Sequence, residues 1–167
     1  MPRAGKDLFV FYCQQHMTWC KNISTVDFVK QVANFCGWDG TKSPKNRAFL
    51  SDLKDLLTQW GDIPFKKVKK EAEHFNNEAL LYDFDTDEVL IFIHSREPQE
   101  IARFVREMGA KTLLIRRTAI ENSEQSNHAD AEVFSYDYDY IIENNGTKEE
   151  LETKAKDFLT NLGYKLK

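Results

Sequence analysis

Two unbroken apolar runs of strand length, Val-Leu-Ile-Phe-Ile-His at 89–94 and Thr-Leu-Leu-Ile-Arg at 112–116, constrain this chain more than any other feature. A strand with one wet face alternates apolar and polar residues, whereas an unalternating run suits a strand covered on both faces of a parallel sheet. Between the runs, Pro98 opens a segment that puts Ile101, Phe104, Val105 and Met108 on one helical face, and Gly109 closes it. Residues 89–116 therefore predict one βαβ unit with the right-handed crossover that parallel strands adopt.

The flanking sequence fits the same class. Phe9, Tyr12, Cys13 and His16 keep the i, i+3, i+4, i+7 spacing of a helix that starts near Gly5. A brief strand is expected over 20–23. Ser24, with Asp27 three residues on, predicts the cap of a second helix carrying Val29 and Ala33, with Gly37 as its stop. Ser43-Pro44 opens a third helix with a stripe of Phe49, Leu53, Leu56, Leu57 and Trp60, ended by Gly61. Pro64 begins a more polar helix with Lys66, Lys67, Lys69 and Lys70, which reads either as a solvated face or as a basic rim near an anionic ligand. A last strand is expected over 138–143 and a turn at Asn144-Asn145-Gly146. Thr147 and Glu150 then form a capping box for a helix bearing Leu151, Ala155, Phe158 and Leu159. Residues 117–135 are polar and aperiodic, a long loop of the kind that often carries function. The expected architecture is a single α/β domain, three-layered, with a mostly parallel sheet.

Composition excludes several functions. A net charge of −4 argues against a dedicated nucleic-acid binder, which leans on a strongly basic surface. The cysteines are Cys13, Cys20 and Cys36, an odd number without C-x-x-C spacing, so neither a disulfide framework nor a zinc knuckle is expected. No apolar run approaches a membrane span and no signal peptide is evident, so a cytoplasmic location is expected and no membrane partner.

Ligands of open parallel sheets bind beyond the carboxyl ends of the strands. His94-Ser95-Arg96, Arg116-Arg117 and Asn144-Asn145-Gly146 all fall at such ends. Gly5-Lys6 before the first helix matches the second half of a phosphate-binding loop, in which backbone amides, a helix N-terminus and a lysine hold phosphates. The first glycine of that motif would fall one residue before Met1, and the strand that feeds the loop would precede it. The plainer readings are solvated arginines, an ordinary Asn-Gly turn and a histidine at a sheet edge. A metal pair at His128 and Asp130 would lack a third ligand. A Walker-B acid should follow the 89–94 strand, and His94-Ser95 stands there instead.

The order of these motifs resembles the phage-type deoxynucleoside monophosphate kinases and their bacterial relatives, within the P-loop nucleoside monophosphate kinase superfamily. Gly5-Lys6-Asp7 is similar to that family's Gly-Lys-Asp loop ending, 22–30 to its acceptor-nucleotide helix, 89–117 to its strand–helix–strand unit, and 126–132 to its lid. The resemblance implies a P-loop fold whose first, central strand is absent from the chain as written. It also implies transfer of the γ-phosphoryl of ATP, with Mg²⁺, to a nucleoside monophosphate, impaired in the present form. By the same resemblance Lys6, Arg96 and Arg116 act on the phosphates, and Asp7 serves the metal. Arg3, Ala4, Gly5, Lys6, Asp7, Arg117, Asn145 and Gly146 line the donor site. Ser24, Thr25, Asp27 and His128 line the acceptor site. Two alternatives stand beside this reading: a nucleotide-binding regulatory protein without turnover, and an interaction module that uses an exposed sheet edge. A sheet that lacks its middle strand also motivates an expectation of homodimerisation.

Overall fold

The computed structural model describes residues 4–85, 88–118 and 136–167. The chain divides into two compact units, one made of Met1–Cys20 with Ser95–Lys167 and the other of Lys21–His94. Both mix helix and strand, so the molecule is α/β.

In the first unit, helix α1 (Lys6–His16) packs on the C-terminal helix α6 (Lys148–Asn161). Phe9, Cys13, Ala155 and Leu159 are fully buried, and Leu151 is nearly so. Phe158 joins them through edge-on contacts with Phe9 and Tyr140, each at 5.5 Å between ring centres. Strands β3 (Leu113–Arg116) and β4 (Tyr140–Glu143) run parallel in the register Leu113 to Tyr140 through Arg116 to Glu143. Asp139 pins the start of this ladder: its carboxylate accepts from the Thr112 amide at 2.8 Å and from the Thr112 hydroxyl at 2.9 Å. Helix α5 (Pro98–Met108) ends, as its sequence predicts, at a left-handed Gly109 with φ 65°.

The second unit holds strands β1 (Cys20–Ser24, whose first residue belongs to the first unit) and β2 (Leu90–His94). It also holds helices α2 (Thr25–Phe35), α3 (Pro44–Gly61) and α4 (Ile63–Leu81), which pack on one another. Ser24 caps α2 in a full box, its hydroxyl accepting from Val26 at 3.4 Å while Asp27 accepts from the Ser24 amide at 2.8 Å. Ser43 caps α3, accepting from the Asn46 amide at 3.2 Å. The stop of α3 is not Gly61, which remains helical, but Asp62 at φ 57°. Pro64 at the head of α4 fixes a helical φ immediately afterwards, so the change of direction is confined to the preceding Asp. The α4 lysines 66, 67, 69 and 70 are all exposed, the solvated-face reading, although the Lys67 ammonium rests 4.5 Å from the centre of the Phe28 ring.

The expected βαβ pairing over 89–116 does not form. Strand β2 pairs with β1, and β3 with β4, as two separate two-stranded sheets. This also explains why every residue of β2 is only half-buried where the apolar run predicts full burial: a two-stranded sheet leaves one edge of β2 without a ladder neighbour. Among the described residues no helix is long and apolar enough to cross a membrane.

Candidate functional site

The turn entering α1 and the turn leaving β4 meet in the first unit. Gly5 occupies the N-cap of α1 in a left-handed conformation, φ 92°, and supplies no side-chain cap. A helix's first amides have no intrahelical partner, and their dipoles favour an anion. Ala4 before it is 1% exposed. The buried Asn144 side chain reaches back to donate from Nδ2 to the Ala4 carbonyl at 2.8 Å. A Cβ on Gly5 would lie 2.2 Å from that same Nδ2, so the approach requires glycine on steric as well as conformational grounds. Lys6 follows as the first helical residue and pairs with the neighbouring Asp7, whose side chain is 78% exposed.

The carboxyl ends of β3 and β4 complete the surroundings. The Asn144 amide donates to the Arg116 carbonyl at 2.6 Å, which carries the ladder one residue past β4. The Arg116 guanidinium stands 3.6 Å from Glu143, with both side chains a little under half exposed. Asn145 bridges to the following loop: its Oδ1 accepts from the Thr118 amide at 2.9 Å and its Nδ2 donates to the Thr118 hydroxyl at 3.0 Å. Thus Ala4, Gly5, Asn144, Asn145 and Arg116 form one connected set. Asn144, expected at the strand ends as part of the Asn144-Asn145-Gly146 turn but not as a donor-site residue, is the one that reaches the α1 loop, whereas Asn145 faces Thr118.

The remaining expected residues are dispersed. Arg96 and Arg117 are exposed. Gly146 lies in the turn before α6. In the second unit Ser24 and Asp27 are engaged in the α2 cap, Ser24 also reaches the His94 carbonyl at 3.4 Å, and Thr25 is 2% exposed. Ser24 and Asp27 also border a shallow groove of about 290 Å³ between α2 and α4, together with Phe28, Gln31, Lys67 and His74. Arg3, His128 and most of the loop at 117–135 lie outside the described residues. Among the described residues no three His, Cys, Asp or Glu side chains converge as a metal cluster. Asp7 alone could serve Mg²⁺, in the mode where one carboxylate, waters and substrate phosphates share the ion. Its exposure beside Lys6 fits that mode.

Two of the cysteines, Cys13 and Cys20, are poorly suited to nucleophilic chemistry. Burial pushes the Cys13 and Cys20 thiols up to about 12, far from the thiolate that nucleophilic chemistry needs. All three are free thiols, Cys36 being exposed.

No family model matches the chain. Among curated proteins, the chain is similar to the bifunctional protein GlmU of Fervidobacterium nodosum, 25% identical over 122 residues. The match covers 70% of this chain and 25% of that protein, so the chain spans about a quarter of its relative's length. That protein's name specifies no substrate.

Proposed function

We propose that this chain binds ATP at the turn entering α1 and belongs to the nucleoside monophosphate kinase class, passing the γ-phosphoryl to a nucleoside monophosphate. The observation that carries the reading is the Gly5–Asn144 lock. A left-handed glycine opens α1, the preceding carbonyl is tied down by a buried asparagine, and a lysine comes next. Tying the Ala4 carbonyl inward holds the turn rigidly, with its amides at the helix N-terminus, the arrangement that receives phosphate. Lys6 would exchange Asp7 for the β- and γ-phosphates. Arg116 would likewise exchange Glu143 for phosphate, at small cost because an exposed pair is worth about 0–1 kcal/mol.

In the reaction, an oxygen of the acceptor phosphate attacks the γ-phosphorus while the bond to the β–γ bridging oxygen breaks, giving ADP and a nucleoside diphosphate. Such a transfer needs positioning and charge stabilisation more than covalent chemistry. Mg²⁺, held by Asp7 and the phosphates, would neutralise charge on the phosphate oxygens. The acceptor residues Ser24, Thr25 and Asp27 rest on the family resemblance, since the α2 cap already accounts for two of them.

Nucleotide binding without turnover is the second reading, favoured by Glu143 on Arg116 and by His94-Ser95 in place of an acid. Calorimetric titration with ATP and Mg²⁺, followed by a coupled ADP-release assay over a panel of ribo- and deoxynucleoside monophosphates, separates the two. Binding with ADP release supports the kinase, and binding without release supports the second reading. Absence of binding by the folded chain removes both.

A further inference from the structure

The groove between α2 and α4 lies wholly within the second unit. Each helix gives it one face, since the lining positions 24, 27, 28 and 31 of α2 with its cap, and 67, 70, 71 and 74 of α4, both follow i, i+3, i+4, i+7. At about 290 Å³ it stands at the small end of ligand sites, with room for one small organic molecule. Its charges are unevenly spent. Asp27 accepts from the Ser24 amide at 2.8 Å and has Lys30 at 3.6 Å, while Glu71 pairs with Lys21 at 3.1 Å. Neither Lys30 nor Lys21 lines the groove, so both carboxylates are answered from outside it. His74 has Glu78 at 3.9 Å. Lys67 and Lys70, one turn apart, meet no carboxylate among the described residues. Lys67 rests on the Phe28 ring, 4.5 Å from its centre, whereas Lys70 and the Gln31 amide have no hydrogen-bond or ion-pair partner there.

Two unanswered ammonium groups one turn apart suit a dianion better than a single carboxylate, and a phosphate monoester carries close to two charges at neutral pH. A charge-assisted bond to phosphate is stronger than a cation resting on an exposed aromatic face, so Lys67 would leave the Phe28 ring for it. The ring it uncovers, beside the buried Val68, is an apolar floor for an organic body, and Gln31 supplies a polar contact one turn further along α2. We propose that this groove binds a phosphate monoester of a small organic molecule, its dianion held between Lys67 and Lys70 and its body laid on Phe28. The site uses no residue of the α1 turn, so it does not rest on the ATP reading. Sugar phosphates and nucleoside monophosphates share this chemistry, and the test separates them.

The experiment is calorimetric titration of the full chain with ribose 5-phosphate, adenosine 5′-monophosphate, adenosine and inorganic phosphate. Saturable binding of a monoester with a Kd below about 1 mM is expected. Ribose 5-phosphate binding at least as well as the nucleotide marks a sugar-phosphate site, whereas a clear preference for the nucleotide marks a base on Phe28. The double variant Lys67→Ala/Lys70→Ala should bind at least about tenfold more weakly, with an unchanged far-UV spectrum because both side chains are exposed. Lys6→Ala should bind as the parent does, which separates this groove from the α1 turn. The proposal is overturned if neither ester binds the folded parent, or if the double variant binds as tightly as the parent. It is equally overturned if Lys6→Ala abolishes the binding, or if adenosine or inorganic phosphate alone binds as tightly as the esters.

Discussion

Gly5 and Asn144 define the candidate site at the level of single atoms. Gly5→Ala introduces a Cβ at 2.2 Å from Asn144 Nδ2 on a backbone at φ 92°, and should cost about 2 kcal/mol in urea unfolding. Asn144→Ala leaves the buried Ala4 carbonyl without its 2.8 Å donor and should cost about 1–3 kcal/mol by the same measurement. Asn145→Ala, whose partners are exposed, should cost clearly less. The Asn-Asn-Gly turn was legible in the sequence, but not which asparagine reaches the loop. That depends on β4 ending opposite Arg116 at Glu143, a register that only pairing with β3 decides. Asp139 yields a pH prediction. The Thr112 amide, then the Thr112 hydroxyl, hold its carboxyl below the usual carboxylate range. A depressed pKa stabilises the fold fully above the unfolded value of about 4, and the contribution disappears as pH falls through the lower folded value. Urea midpoints of the parent and Asp139→Asn should therefore differ most near neutral pH and converge as pH drops below about 4. A gap that persists in acid would contradict this.

At the scale of elements, the local signals were strong and the pairing signals were not. Ser24 with Asp27, Ser43-Pro44 and Gly109 each mark a helix end that the structure also has, because caps are decided by a few neighbouring residues. Ser24→Ala should cost about 1 kcal/mol, read as a lowered urea midpoint at unchanged slope. Leu159→Ala, emptying a fully buried position between α6 and its neighbours, should cost about 3 kcal/mol. Helix α3 ends at Gly61, but the left-handed cap is the next residue, Asp62, since Asp tolerates that region well enough to take the place of an adjacent glycine. The apolar runs at 89–94 and 112–116 revealed both strands but suggested that they pair. Periodicity records how much surface a strand hides, not which strand lies beside it, and here β2 joins β1 while β3 joins β4.

For the whole molecule, the sequence gives no sign that the chain gathers into two units, one of them built from both ends of the chain. That arrangement brings the α1 turn and the Asn144 turn together across 140 positions of sequence, a long-range closure that no local pattern encodes. It also ties the turn at Gly5 to a buried partner at the open end of a helix, the observation on which the proposed phosphate site rests. In the proposed function this turn receives the phosphates of ATP. Isothermal titration of ATP with Mg²⁺ into the folded chain and into Lys6→Ala, with circular dichroism confirming that both are folded, tests it most directly. Saturable single-site binding is expected, competed by ADP and weakened at least about tenfold in Lys6→Ala. A folded parent that binds no ATP, or equal affinity in the two proteins, would contradict it.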